Sequence, residues 1–199
     1  MAKKSSFVNM VVVLGLVCLI CSALLGAVYV VTEAPIAAAN LAKTNQAISE
    51  VVPAFDNVPS DEKFTVSVGG KEYLVYPAKA QGSVAGYAVE CSVIGFGGPV
   101  KIMVGFDAAG NIYHSSVISH SETPGLGAKI SDNSQGNFRE QFKGKNPKDY
   151  KLKVKQDGGD VDAITASTIT SRAYTSAVKE ACDVFDAIAV KAGEGQNNE

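Results

Sequence analysis

From Ser5 to Thr32 the chain carries no charged residue, and Val8 to Val31 is apolar apart from Asn9 and a few small residues. At ~1.5 Å of rise per residue these 24 positions span roughly 36 Å as a helix, more than the ~30 Å hydrocarbon core of a bilayer. A transmembrane helix is therefore expected near the N-terminus. Lys3 and Lys4 precede the run and the next basic residue is Lys43, so the positive-inside bias places the N-terminus in the cytoplasm and everything after Thr32 outside. A cleaved signal peptide is the competing reading, but its apolar region usually runs only ~7–15 residues. Cys18 and Cys21 follow Val17 and Ile20 rather than small residues, which argues against lipoprotein processing.

The rest of the 199 residues suffices for one domain of ordinary size. Lys+Arg 18 against Asp+Glu 20 supplies no basic field for polyphosphate, so nucleic acid is not an expected partner. Gly 19, Pro 7 and Cys 4 are ordinary counts, which excludes collagen-like, disordered and disulfide-dense classes. Cys18 and Cys21 form a C-x-x-C inside the apolar run with no His nearby and read as packing residues. Cys91 and Cys182 fall in the exported part, where spacing alone does not bring them within bridging distance. His114 and His120 are the only histidines, too few to argue for a zinc site.

Beyond the anchor (1–33), Ala34 to Ser49 is helix-compatible until Pro53 and reads as a membrane-proximal helix, residues 34–53. Lys63–Val68 and Lys71–Tyr76 alternate around Gly69-Gly70, a hairpin pattern. Gly86–Val93, Val100–Phe106 and Ile112–Ser119 are further strand candidates, the last two joined by a turn over 107–111. The expected fold is α+β: a largely antiparallel sheet with flanking helices, preceded by one transmembrane helix. A closing helix from about Thr170 to Ala192 should bury Ala177, Ala181, Val184, Phe185 and Ile188 and stop at Gly193. The main domain is thus 54–193, with a polar tail over 194–199.

Three loops exceed what a plain sheet needs. Gly95-Phe96-Gly97-Gly98-Pro99 is dense enough in glycine for backbone to approach a flat ligand, or is a long hairpin loop. His120-Ser121-Glu122-Thr123-Pro124-Gly125-Leu126-Gly127 contains a Pro-Gly type II turn, which does not account for the His, Glu and Thr before it. The third is Asp162-Ala-Ile-Thr165-Ala166-Ser167-Thr168-Ile169-Thr170-Ser171, running into the last helix. Its hydroxyls either cap that helix or surround an anion held by free backbone N–H groups at its start.

Asp162-x-x-Thr165-Ala166-Ser167-Thr168 resembles the flavinylation motif of FMN-binding domains, usually Asp-x-x-[Ser/Thr]-Gly-Ala-Thr. The other two loops resemble further signatures of that domain. Together with the single anchor, they resemble the G subunits of Rnf ion-translocating electron transport complexes over nearly the whole chain. The C subunit of the sodium-translocating NADH:quinone reductase shares the motifs but is typically longer. A non-redox anchored module, pilin-like or solute-binding, is the alternative from another class, and it leaves the three loops unexplained.

The resemblance implies FMN joined by a phosphoester to the hydroxyl of Thr168, attached after export by a flavin transferase that uses FAD and Mg²⁺. Around it, Asp162, Thr165, Ser167 and Thr170 of the motif, Gly97 and Gly98 of the first loop, and Glu122, Thr123, Gly125 and Leu126 of the second would contact or position the cofactor. Glu122 and Thr123 would reach ring or ribityl oxygens. Ala166 and Ser167 depart from the usual Gly and Ala, giving the loop less backbone freedom and a second hydroxyl. The implied role is electron relay within a bacterial or archaeal cytoplasmic-membrane complex that couples ferredoxin and NAD exchange to Na⁺ or H⁺ translocation. Such a chain alone provides no ion path, since a single anchor without intramembrane charge cannot line one.

Overall fold

Helix α1, Phe7–Val51, opens the chain in a computed structural model that describes residues 7–132 and 137–196. Lys3 and Lys4, on which the orientation rests, lie outside the described residues, as does the tail beyond Gln196. The chain divides after Lys43 into two units. In the first, the helix is long and apolar enough to cross a membrane, and its apolar side chains are exposed on every side, among them Leu14, Leu24 and Val30. The expected anchor and membrane-proximal helix form one uninterrupted element, with Pro35 inside it. A proline there deletes a single N–H to the carbonyl four residues back, and the flanking turns carry the helix on. Thr32 Oγ1 also donates to the Val28 carbonyl at 2.8 Å in the same turn.

The second unit is built on a five-stranded antiparallel meander in the order β1-β2-β3-β4-β5. The strands are β1 (Phe64–Val68), β2 (Lys71–Ala80), β3 (Ser83–Ile94), β4 (Pro99–Asp107) and β5 (Ile112–His120). Gly69 and Gly70, both at positive φ (60° and 81°), make the first hairpin turn as the sequence implies. The next turn, Gln81-Gly82, has the same handedness with Gln81 at φ 53°, a position its residue type does not advertise. Asp107 closes the β4–β5 turn by accepting from the N–H groups of Ala109 and Asn111.

Strand alternation divides the apolar residues between two faces. On one lie Val75, Val89, Cys91, Ile102, Val104 and Phe106, covered by helix α2 (Thr168–Gln196) through Tyr174, Ala177, Val178, Ala181, Val184 and Ile188. Phe185 is only partly buried and stacks on Phe106, ring centroids 4.9 Å apart. On the other face Tyr76, Ala78, Ala88 and Met103 pack against Ala47, Ile48 and Val51 from the end of α1 and Val52 just after it. Gly105 makes that approach possible, since a Cβ there would overlap the Val51 carbonyl. Fully burying each such Val, Ile or Phe contributes about 1.5–3 kcal/mol.

Helix α2 starts two residues earlier than expected and does not stop at Gly193. Between β5 and α2 the described residues form three short 3-10 turns, Gly127–Ser131, Phe138–Phe142 and Lys155–Asp157. Their buried Ile130, Phe138 and Phe142 extend the α2-side core. Tyr174 is its pivot: its ring packs on Phe138 and Phe142, and its hydroxyl donates to Ser115 Oγ at 2.8 Å. Burial pushes that phenol up to about 12. Cys91 and Cys182 are both buried free thiols in this core, and burial pushes Cys182 up to about 12.

Candidate functional site: the cavity at the start of the last helix

The three loops singled out in the sequence converge on one carboxylate. Glu122, 5% exposed, accepts through Oε1 from the N–H groups of Phe96 (2.8 Å) and Gly97 (3.3 Å) and through Oε2 from the Thr170 hydroxyl (2.8 Å). It thereby ties the β3–β4 loop, the segment after β5 and the first turn of α2 together. Its own N–H donates to His120 Nδ1 at 3.2 Å. Both side-chain oxygens are taken up in this way, so Glu122 shapes the site through its neighbours. The glycines follow from the same packing. A Cβ on Gly95 or Gly127 would strike the Glu122 carboxylate, and one on Gly97 would strike the Ser121 carbonyl.

Pro124-Gly125 forms the type II turn that its sequence suggests, with Leu126 N–H donating to the Thr123 carbonyl at 3.2 Å and Gly125 at φ 75°. This turn raises Thr123 and Leu126 as one wall of a cavity of about 390 Å³. Phe96, Glu122, Gly127 and residues 166–170 complete the lining. Phe96 is 70% exposed and Ile169 52%, so two apolar walls stand open at the rim. Their signal in the sequence is faint: a lone aromatic among glycines and a lone isoleucine among hydroxyls.

The motif segment enters α2 through a tight turn. Ser167 N–H donates to the Ile164 carbonyl at 3.0 Å, and Ala166, third residue of that turn, sits at φ 61°. Such a turn demands positive φ at its third residue, which explains why glycine is usual there and why alanine is strained. Ala166→Gly is expected to raise stability by about 0.5–1 kcal/mol, the left-handed penalty less the extra freedom of the unfolded glycine. Urea unfolding measures this, and an unchanged or lower midpoint would contradict the strained turn.

Beyond the turn the hydroxyls separate by role. Ser171 Oγ accepts from Ile164 N–H and donates to the Ser167 carbonyl, both at 3.0 Å, and Thr175 Oγ1 donates to the Ser171 carbonyl. Thr168, half-buried, and Ser167, buried, face the cavity. The first in-helix bond is Ser171 N–H to the Ser167 carbonyl at 2.9 Å, so the N–H groups ahead of it in the turn are available to an anion. No acidic residue lies in that first turn.

Thr123, Leu126, Ser167, Thr168, Thr170 and Glu122 are thus brought together around the cavity. Gly97, Gly98, Gly125, Asp162 and Thr165 are not part of its lining. Thr165 is exposed on a neighbouring shallow surface beside Asp162 and Gln141. Asp162 is exposed and pairs with Lys155 Nζ at 2.7 Å. Gln141, which sequence reasoning does not single out, holds the motif's backbone: its Oε1 accepts from Asp162 N–H (2.7 Å) and its Nε2 donates to the Asp162 carbonyl (3.0 Å). A second hollow of about 420 Å³ between Tyr150 and Asp186 contains lysines and aspartates but none of the motif residues.

The residues around the first cavity suit a phosphorylated planar ligand. The volume falls in the ~300–1,000 Å³ range of small-molecule sites. Apolar walls from Phe96, Leu126 and Ile169 stand beside hydroxyls at a helix start, and Ser167 Oγ is buried there without a partner among the described residues.

The family of FMN-binding domains matches residues 95–183, a range that holds all three loops. The chain is 31% identical to the G subunit of the ion-translocating oxidoreductase complex of Shewanella piezotolerans, over 92% of this chain and 91% of that protein. It is 37% identical to the G subunit of the Na⁺-translocating ferredoxin:NAD⁺ oxidoreductase complex of Acetobacterium woodii, over 78% of this chain and 80% of that protein. Among solved structures, the C subunit of the Na⁺-translocating NADH-quinone reductase of Parabacteroides distasonis overlaps 69% of this chain and 77% of its own, with a TM-score of 0.46 and 22% identity. With such relatives along nearly its whole length, the chain belongs to the family of G subunits of ion-translocating oxidoreductase complexes and contains their FMN-binding domain.

Proposed function

We propose that the chain is a membrane-anchored flavoprotein that carries FMN covalently on Thr168 and relays electrons within an Rnf-type complex exchanging electrons between ferredoxin and NAD. The observation that carries this reading is the position of Thr168, at the first residue of α2, lining a cavity assembled from three loops within the matched domain. Bound FMN supplies one- and two-electron transfer, and the protein supplies its placement and surroundings.

Thr168 Oγ1 would be the phosphoryl acceptor, taking FMN from FAD through a flavin transferase with loss of AMP and of the hydroxyl proton. The N–H groups of the first turn of α2 and its dipole stabilise the phosphoryl charge. Phe96, Leu126 and Ile169 would offer the ring apolar surface at the rim of the cavity, with the Thr123 hydroxyl on its wall. Asp162 is exposed and held by Lys155 and Gln141, which supports reading it as a feature that a flavin transferase recognises. A covalent tether keeps the effective concentration of cofactor high where no free flavin pool sustains it.

The domain lies outside the cytoplasm in this reading, from Lys3 and Lys4 ahead of the apolar helix. A reporter fused after Glu199 should be active only if its chemistry works outside the cytoplasm. Activity of a strictly cytoplasmic reporter at that position would overturn both the orientation and the export-linked attachment.

A further inference from the structure

Ser167 stands at the residue before α2, where a serine ordinarily turns its hydroxyl back onto an N–H of the first helical turn. Its carbonyl does enter the helix, accepting from Ser171 N–H and Oγ. Its hydroxyl caps nothing. Ser167 is 7% exposed, and its Oγ has no hydrogen-bond partner among the described residues. The hydroxyls beside it differ: Thr170 donates to Glu122, Ser171 bonds to Ile164 and Ser167, and Thr175 donates to Ser171. A buried hydroxyl stripped of water and left unpaired is unfavourable, so one on a cavity wall points to a partner inside that cavity.

The surroundings define that partner's chemistry. Ser167 precedes Thr168 directly, and both line the cavity at a helix start with no acidic residue in its first turn. An oxygen anion is what such a start attracts. At this position the related motif usually carries alanine, which has no proton to give. We propose that Ser167 Oγ–H donates a hydrogen bond to a non-bridging phosphoryl oxygen of the FMN carried on Thr168, a contact this chain adds to the usual motif. The proposal rests on attachment at Thr168. It makes the chain before loading the state that bears the unpaired hydroxyl, and the loaded chain the state in which it is satisfied.

The test compares full-length wild type and Ser167→Ala in detergent, each produced with and without a co-expressed flavin transferase. Intact mass reports attachment, the melting temperature reports stability, and the ³¹P resonance of the phosphodiester reports its hydrogen bonding. Both proteins should gain the FMN increment. Loading should raise the melting temperature of the wild type more than that of Ser167→Ala by about 2–4 °C, the effect of one hydrogen bond in a chain of this size. Unloaded Ser167→Ala should melt no lower than unloaded wild type, and the ³¹P resonance should move between the loaded pair. Equal gains on loading with an unmoved ³¹P resonance would overturn the proposal. So would a loss of stability in the unloaded variant equal to that in the loaded one, which would give the hydroxyl a role in the fold alone. Loss of the mass increment from Ser167→Ala would put the bond on Ser167 itself and overturn the donor role. No increment in either protein would overturn the attachment reading beneath it.

Discussion

Thr168→Ala, produced beside a flavin transferase, is expected to emerge with the mass of its polypeptide alone and to give no flavin fluorescence on a denaturing gel. Four other hydroxyls lie within a few residues, and the structure gives each a different position or duty. Thr165 is exposed and outside the cavity, Thr170 is engaged by Glu122, and Ser171 is buried in the turn that starts α2. Thr165→Ala should keep full labelling at unchanged stability. Thr170→Ala and Ser171→Ala should keep labelling while losing about 1–2 kcal/mol, from the bonds their hydroxyls make. Thr168→Ser should label in part, since the nucleophile remains without the methyl group that restricts its rotamer. Flavin surviving denaturation on Thr168→Ala would move the bond elsewhere, with Ser167 the nearest hydroxyl on the same wall.

The largest loss of stability is expected at Glu122. Alanine there strands the N–H groups of Phe96 and Gly97 and the hydroxyl of Thr170, all now served by one buried carboxylate. Leaving the buried Thr170 hydroxyl without its acceptor and the two part-buried N–H groups without theirs costs about 2–3 kcal/mol, or roughly 4–12 °C in a chain of this size. Glu122→Gln should cost about 1 kcal/mol, because the amide oxygen accepts from the two N–H groups while its nitrogen donates to Thr170 Oγ1. If thermal melts gave the two variants equal losses, the carboxylate's hydrogen bonds would not be what joins the loops. The same pair separates joining from charge: Glu122→Gln keeps the loops in place and removes a negative charge from the cavity wall.

Elements with a strong local signal are legible without the structure. The Gly69-Gly70 hairpin, the three later strand segments and the apolar stripe of α2 follow from period and turn chemistry. The motif's helix start and the Pro-Gly turn at 124–125 follow likewise. What escapes depends on partners distant in sequence. Glu122 bonds to a loop about 25 residues before it and a helix 48 residues after it, and no spacing rule announces that. Gln141 holds Asp162 through a backbone amide and carbonyl, which any residue at 162 would also offer. Tyr174 is not among the stripe residues the sequence singles out, because its partners, Ser115 and two phenylalanines from the 3-10 turn at Phe138–Phe142, lie far away in the chain. Pro35 and Gly193 are ordinary stop signals that α1 and α2 override.

The glycines are sites of close approach, as their density suggests, and the structure shows whose approach. At Gly95, Gly97 and Gly127 the neighbours are Glu122 and Ser121, so these positions admit one loop against another, while Phe96, Leu126 and Ile169 supply the apolar part of the cavity wall. The departure at Ala166 is tolerable because one left-handed alanine costs only about 1–2 kcal/mol, a strain that the turn it closes can sustain.

The most direct measurement is a reductive titration of the full-length chain, purified in detergent from a transferase-containing host and followed by visible absorbance with the flavin content counted after denaturation. One covalently bound FMN per chain is expected, with an absorbance that bleaches on reduction and returns fully on reoxidation. A colourless protein of unmodified mass from the same host, or a bound flavin that cannot be cycled between the two states, would contradict it.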